Sequence, residues 1–224
     1  PVDMAMNKFT NGTDAGLSDR LRGAKGLLTL NDFAEYTNSV KTFDYMDGYY
    51  SPGAGANSTY YSWMWKRAPG FFDVVAFSGN GTGGNRLLTH NLGVAPEMIW
   101  TKKRNGTRNW FVLTPNNKTM FLNTINLEYQ DASTNSYYWG DGGGASGVVV
   151  VPTDTDFTVG AGINGNNQDF ISYLFASVAG VSKISSYTGN GTSQTINCGF
   201  TSGARFILIK RTDATGDWSV SYTH

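Results

Sequence analysis

Residues 79–84 read GNGTGG, which has the glycine spacing of a turn that binds the phosphates of a dinucleotide. The turn follows a strand-like run at residues 74–77 (VVAF), as such a turn should. In a dinucleotide-binding fold, however, a helix begins directly after the glycines, and its N-terminus binds the pyrophosphate. Here residues 86–93 alternate in polarity and then break. The pattern therefore favours a hairpin turn over a nucleotide site.

Other residues that could support catalysis are few. The chain has two histidines, His90 and His224, and neither a G-x-S-x-G nor an H-E-x-x-H motif. Asp154 and Asp156 share one face of a loop and could help to bind Ca²⁺, although a solvated turn is the commoner role of such a pair. Paired carboxylates for glycoside hydrolysis are defined by their distance, which leaves a glycan-degrading spike open. We expect no enzyme, no cofactor and no bound metal.

Composition excludes several classes of partner. Seventeen basic residues balance seventeen acidic ones, so no strong field attracts nucleic acid or an anionic membrane. No run of 18 apolar residues could span a bilayer. The single cysteine, Cys198, excludes an intrachain disulfide and a cysteine-based zinc site, and its alternating neighbours predict a buried thiol on a strand.

Aromatic residues are better candidates for a binding site, since they form 14% of the chain. Five of them flank loops rich in glycine and serine: Tyr49, Tyr50, Tyr137, Tyr138 and Trp139. Aromatic side chains on such loops offer rigid contact area beside adaptable polar groups. The same side chains would suit packing between domains or subunits equally well. Three other tryptophans lie on predicted strands at repeated positions and are expected in the core, namely Trp100, Trp110 and Trp218.

Six Asn-x-Ser/Thr sequences could be glycan acceptors in a secreted eukaryotic protein. They begin at Asn11, Asn57, Asn80, Asn105, Asn117 and Asn190. Four of the six read Asn-Gly-Thr and fall at repeated positions. Because Asn-Gly favours the positive φ angles of hairpin turns, we expect turns rather than glycans.

An internal repeat organises the chain. The GNGT of residues 79–82 recurs at 189–192, and residues 99–103 recur as 207–211. Trp110 falls on Trp218, and residues 1–8 resemble residues 95–102. This pattern predicts three tandem units, of which residues 70–178 are complete while residues 1–68 and 180–224 are partial. The chain is then either a window of a longer array or a protein whose end units are completed by neighbouring subunits.

A complete unit of about 110 residues has the size of an independent domain, so we expect separate domains joined by short linkers. Within it, eight runs of residues alternate in polarity or are apolar, and turn signals separate them. The predicted strands are residues 72–77, 85–90, 97–103, 109–113, 118–122, 148–151, 157–160 and 170–176. Residues 134–147 are expected to form a loop, and the best helix candidate is one or two turns at residues 31–37. The predicted fold is all-β, with tandem antiparallel β-sandwich, jelly-roll-like domains.

As a set, the repeated motifs resemble a tandem domain in virion proteins of tailed bacteriophages, especially phages of marine and aquatic bacteria. The resemblance rests on GFFDVVAFSGNGT, HNLGVAPEMIW, NGTRNWFV and DFTVGAGINGNNQDFISYLFASV, followed by the diverged GVSKISSYTGNGT and GFTSGARFILIKRTDATGDW. It covers nearly the whole chain, whereas each motif alone is only turn and strand chemistry. The partial first and third units depart from the pattern, because such proteins continue there.

The resemblance implies a non-enzymatic role at the surface or tail of the particle, as a tail fibre, spike or decoration protein with host attachment. It implies other virion proteins as partners, a homo-oligomer with a trimer favoured, and a host-surface glycan as possible ligand. The aromatic loops motivate an alternative, which is a lectin-like, carbohydrate-binding module of a secreted or surface protein.

Overall fold

The computed structural model describes residues 1–9, 15–37, 42–51, 59–141 and 147–222 of the chain. As the alternating pattern predicts, this part is all-β, with fourteen strands and a single α-helix. The strands are β1 (Met4–Phe9), β2 (Ala15–Asp19), β3 (Lys25–Leu28), β4 (Tyr36–Thr37), β5 (Tyr60–Trp65), β6 (Phe72–Ser78), β7 (Arg86–Thr89), β8 (Met98–Lys103), β9 (Phe111–Leu113), β10 (Thr119–Phe121), β11 (Asp156–Val159), β12 (Asp169–Phe175), β13 (Phe206–Ile209) and β14 (Ser219–Tyr222). Helix α1 spans Ala132–Trp139, and a 3-10 turn spans Ala161–Ile163.

These strands form four antiparallel sheets. The first sheet has the order β4-β3-β2-β1-β5, and the second sheet has the order β10-β9-β8-β12-β6. Strands β7 and β11 form an outer ribbon, and β13 and β14 form what we call the third hairpin. Strands β3-β2-β1-β5 and β10-β9-β8-β12 therefore follow the same order in the two large sheets.

The registers of three strand pairs also correspond. Equivalent pairs are Met6 with Leu17 in β1–β2, Trp100 with Val112 in β8–β9, and Leu208 with Val220 in β13–β14. The sequence repeat is therefore also a repeat of strand pairing. The exact boundaries of the three units stay a prediction.

Two hydrophobic cores lie on opposite faces of the second sheet, which gives a sandwich-like arrangement. The inner core contains Met4, Leu17, Leu27, Phe72, Val74, Trp100, Trp110, Val112, Met120, Leu122, Ile171, Tyr173 and Phe175, with Trp65, Ile184, Leu208 and Trp218 packed against it. The outer core contains Leu88, Leu92, Ile99, Phe111, Leu113, Phe121, Trp139, Phe157, Val159, Ile163, Phe170, Leu174 and Ala176. The second sheet, the outer ribbon and α1 enclose the outer core.

The inner core joins all three predicted units. Met4 and Leu17 of the first sheet and Trp100 and Tyr173 of the second sheet belong to it, and Leu208 of the third hairpin packs against it. The expectation of separate domains on short linkers is therefore wrong. The first and second units bury a sheet face against each other, and the partly buried Leu208 and Trp218 of the third unit pack against the same core. Such a face exposed alone would cost the free energy of its apolar area.

Three local expectations are also wrong. Residues 134–139 belong to α1 rather than to a loop, because the Asp131 carboxylate caps the helix and accepts a 2.6 Å hydrogen bond from the Thr134 N–H. Residues 31–37 form no helix, and Tyr36–Thr37 pairs instead as β4. The apolar run 148–151 is no buried strand, since Val148 and Val151 are 60% and 59% exposed.

Cys198 is partly exposed and lies outside the strands, so the expected buried thiol is also wrong. The equivalent segment of the complete unit forms β7, which pairs with β11. Among the described residues, the third unit has no strand that pairs with this segment, and its alternation in polarity therefore produces no strand.

Replacing the helix cap, Asp131→Ala, should lower the free energy of unfolding by about 1 kcal/mol, because the N–H groups of the first turn lose their acceptor. Urea unfolding measures this difference. The exposed loop acid Asp154→Ala provides the matched control and should change stability little. Equal losses in the two variants would contradict the capping role.

Candidate functional site

The predicted aromatic site at residues 137–139 lies on α1, and most of it faces the protein interior. Trp139 is 0% exposed in the outer core. Tyr138 packs on Phe111 with ring centroids 4.8 Å apart, and burial raises the pKa of its hydroxyl. Only Tyr137 reaches solvent substantially, at 39% exposure. The tryptophan of this group therefore holds the helix to the second sheet, and a ligand-binding role of Tyr137 and Tyr138 stays a prediction.

The other predicted pair, Tyr49 and Tyr50, ends a tied loop at residues 42–50. The backbones of Thr42 and Tyr50 exchange two hydrogen bonds of 3.0 and 2.8 Å, which close the loop at its base. Tyr49 stacks on the buried Phe43, and its hydroxyl donates to the Asn7 side chain of β1. Tyr49 is thus an anchor, whereas Tyr50 is half exposed.

Two further residues of this loop, which the sequence analysis missed, extend the exposed surface. Tyr45 is 51% exposed and Met46 is 81% exposed. The rings of Tyr45 and Tyr50 lie 6.4 Å apart between centroids and are tilted by 42°. We call Tyr45, Met46 and Tyr50 the tied-loop platform. The available signal was the loop sequence DYMDGYY, in which an Asp-Gly turn lies between aromatic residues.

The GNGTGG segment forms a turn rather than a nucleotide site, but the prediction of a hairpin is wrong, because β6 pairs with β12 and β7 pairs with β11 instead of with each other. The Asn80 Oδ1 accepts hydrogen bonds from the Thr82 N–H and hydroxyl at 3.1 and 2.8 Å. The repeated Asn190 accepts the same pair from Thr192 at 2.9 and 3.1 Å. Strand β7, rather than a helix, follows the first turn. A Cβ atom at Gly79 would lie 2.1 Å from a backbone oxygen of the neighbouring chain segment, so that close packing explains this glycine.

His90 lies against the loop that carries Asp154 and Asp156, since its backbone N–H donates to the Thr155 carbonyl at 2.8 Å and its Nε2 lies 3.3 Å from the carbonyl oxygen of Thr153. His224 lies outside the described residues. The Asp156 carboxylate accepts a hydrogen bond from Thr155, and His90 Nδ1 accepts one from the Leu92 N–H. Within the described residues, no group of three or more His, Cys, Asp or Glu side chains could hold a metal ion. The helices in the same residues are too short to cross a bilayer. Of the predicted Asn-x-Ser/Thr sites, Asn11 and Asn57 lie outside the described residues.

A buried polar cluster instead connects the first and second sheets. The Tyr173 hydroxyl of β12 donates to Asp19 Oδ2 of β2 at 2.6 Å, and Arg22 Nε donates to the same carboxylate at 2.5 Å. The side chains of Asp19 and Arg22 are 0% exposed. Burial raises the pKa of Tyr173 well above its usual value, so its hydroxyl keeps its proton and remains a donor. The cluster fixes which part of the first sheet meets β12.

The contact between the units has a second, repeated component. The Trp110 indole, just before β9, donates a 2.8 Å hydrogen bond to the carbonyl of Leu28, the last residue of β3. The Trp218 indole, just before β14, donates a 3.0 Å bond to the carbonyl of Phe121, the last residue of β10. Because β3 and β10 occupy the same place in their sheets, the two bonds are equivalent.

Backbone hydrogen bonds around the two tryptophans repeat at the same sequence spacing. The N–H groups two residues before each tryptophan donate to the carbonyls of Asp32 and Ile125, at 2.8 and 2.9 Å. The N–H groups of Glu35 and Glu128 donate to the carbonyls six residues before each tryptophan, at 2.8 and 3.1 Å. We call residues 28–35 and 121–128 the acceptor segments, and residues 104–110 and 212–218 the donor segments. One unit thus docks on the preceding unit twice in the same way.

A lysine reinforces each contact, and of the two only Lys102 is fully buried. Lys102 Nζ donates to the carbonyls of Asp32 and Lys103 at 3.1 Å each, and Lys210 Nζ donates to the carbonyl of Thr124 at 3.3 Å. Each lysine lies eight residues before its tryptophan. Burial disfavours the ammonium form and lowers the pKa of Lys102 to about 8, and burial lowers the pKa of Lys210 as well. The charged form of Lys102 therefore opposes folding at neutral pH.

Stability should rise between pH 7.5 and 9.5, because the unfolded lysine with a pKa of 10.5 holds its proton where folded Lys102 has lost it. This difference predicts a gain of about 1–2 kcal/mol in the free energy of unfolding. Lys102→Met should remove most of the gain, while the exposed control Lys66→Met should keep it. Urea unfolding at the two pH values is the measurement, and an undiminished rise in Lys102→Met would contradict this role for the lysine.

Comparisons with known proteins add a family but no activity. Residues 3–223 match the family model described as Domain of unknown function (DUF7483). The match runs through all three predicted units without a break. No curated protein and no solved structure was found to match the chain. With almost every residue covered by that single model, the chain belongs to the DUF7483 family.

Proposed function

We propose that this chain is a non-enzymatic structural protein of a bacteriophage particle, either a tail-fibre or spike component or a surface decoration, with a role in host attachment. The observation that carries the proposal is the repeated docking of one unit on the preceding one through tryptophan, lysine and backbone contacts. Such contacts serve rigid assembly. The motif-level resemblance to virion proteins supplies the biological setting.

Several features of the surface are consistent with this role. Basic and acidic residues balance, and the described residues place no cluster of metal-binding side chains together. Other virion proteins are the proposed partners, and a host-surface glycan is the proposed ligand. The homo-oligomer, with a trimer favoured, stays a prediction. It competes with the single-chain ring proposed in the next subsection, and a mass measurement decides between the two.

The proposal predicts that antibodies against the recombinant chain label the tail or surface of intact phage particles in electron microscopy. Mass spectrometry of gradient-purified particles should find the chain's peptides at a constant ratio to the major capsid protein. Fab fragments should slow adsorption if the chain contacts the host. Particles that lack the peptides, in a phage whose genome encodes the protein, would refute the virion role.

The alternative is a carbohydrate-binding, lectin-like module, and the tied-loop platform is the observation that favours it. Tyr45 and Tyr50 present two half-exposed rings beside the exposed carboxylates of Asp44 and Asp47. Aromatic faces stack on the C–H faces of sugars, while carboxylates accept hydrogen bonds from hydroxyl groups. The tied base of the loop holds this surface in place.

A glycan array probed with the full chain tests the alternative. Any bound glycan should lose about two- to tenfold in affinity on Tyr50→Ala, because an aromatic stacking contact is worth about 0.5–1.5 kcal/mol. Tyr187→Ala is the matched control, since Tyr187 is also 50% exposed but lies in the third unit. Trp139→Ala would not serve, because the buried ring supports the fold. An array without binding, or binding that Tyr50→Ala leaves intact, would exclude this site.

A further inference from the structure

We propose that the three units close into one ring within a single chain, so that each acceptor segment is a docking site for a hairpin of the same repeat. The second unit docks on the first through Trp110, and the third docks on the second through Trp218. A ring also requires a contact between the first and the third unit. That contact should use the positions equivalent to those by which the second unit contacts the first.

That third contact is present. Tyr173 of β12 meets Asp19 of β2, and Trp63 of β5 is the counterpart of Tyr173, because both side chains stand opposite the same position of the neighbouring strand. Trp63 packs on Tyr222 of β14 with ring centroids 5.5 Å apart. Tyr222 is the counterpart of Asp19, since Asp19 pairs with Met4 and Tyr222 pairs with Phe206 at the equivalent place.

The contact between the first and third units occupies the equivalent position but uses different side chains from the contact between the second and first units. Trp63 and Trp65 both pack on Phe206, with centroids 5.5 and 5.7 Å apart, and Tyr61 packs on Tyr222 at 4.4 Å. An aromatic cluster thus stands where the second and first units share a buried hydrogen-bonded cluster. The first unit carries Ala15 directly before Gly16, which is the place that Trp110 takes before Phe111, so it has no indole to donate.

The three contacts run in one direction, from the second unit to the first, from the third to the second, and from the first to the third. A head-to-tail contact either closes into a ring or grows into a filament, and closure after three units leaves no end for a further copy. One chain then supplies the threefold arrangement for which three chains would otherwise be needed. The ring does not depend on the proposed phage role, so either can fail without the other.

Docking, rather than the connecting segment, holds the third hairpin in place. Residues 183–205 contain no strand and are mostly exposed. By contrast, Leu208 and Trp218 pack against the inner core, and Lys210 binds carbonyls of the second unit and of its own hairpin. The hairpin should therefore stay bound when its covalent connection is cut.

A protease site inserted between Thr195 and Ile196, both exposed, allows this test on the full chain. After cleavage, the hairpin fragment should elute together with the rest of the protein in size-exclusion chromatography. Trp218→Ala should weaken its retention by roughly tenfold or more, and Trp218→Phe should weaken it less, since it loses the N–H donor but keeps an aromatic ring in the contact. Ile207→Ala, on the exposed outer face of the same hairpin, is the matched control and should leave retention unchanged.

Light scattering on the uncut chain completes the test. The closed ring predicts one species at 24.3 kDa. A stable trimer of chains would overturn the proposal, as would wild-type hairpin fragment that separates on cleavage. Retention that Trp218→Ala and Ile207→Ala weaken equally would also overturn it. The cleavage of the wild-type chain can refute the ring without any variant, so the test still holds if a variant fails to fold.

Discussion

The inner core is the constraint on which the rest of the structure depends. Each of the three repeated units has a sheet face that it cannot bury alone, and Met4, Trp100 and Leu208 bring those faces into a single core. Burial of apolar surface is non-directional, so it explains why the faces meet but not how they are aligned. Alignment comes from the directional bonds at the margin of the core. The indoles of Trp110 and Trp218 reach the carbonyl at the end of a neighbouring strand, where no ladder partner remains.

Buried charge makes this alignment more specific at a cost in free energy. Asp19 and Arg22 lie fully inside the protein, and Tyr173 completes their cluster. Burial of an ion pair gains little stability over apolar residues, but the loss of one partner leaves an uncompensated charge. The Tyr173 hydroxyl bonds to both Asp19 and Arg22, so a shift of β12 against β2 would break both bonds. At the equivalent position between the first and third units, Trp63 and Tyr222 replace this cluster by aromatic packing, which tolerates more variation in geometry.

Much of the fold could be predicted because β-structure leaves local signals. Strands β6, β8 and β12 were predicted within one or two residues, since each combines an apolar or alternating run with a nearby Gly or Asn turn. Helix α1 was missed because its eight residues, ASTNSYYW, carry no amphipathic stripe, and its cap and its contact with the outer core decide its conformation. Residues 148–151 show the converse case. An apolar run predicts burial, but Val148 and Val151 have no sheet face to cover them.

The all-β class, the Asn-Gly turns and the repeat follow from the sequence, because each of these depends on residues close together in the chain or on the comparison of one segment with another. That the repeats share a core instead of forming separate domains became clear only from the folded chain. The folded chain also buries Trp139 while it exposes Tyr45 and Met46. These outcomes depend on contacts between residues far apart in sequence, such as Trp110 with Leu28 and Trp63 with Tyr222, and no local pattern encodes which distant face covers which side chain.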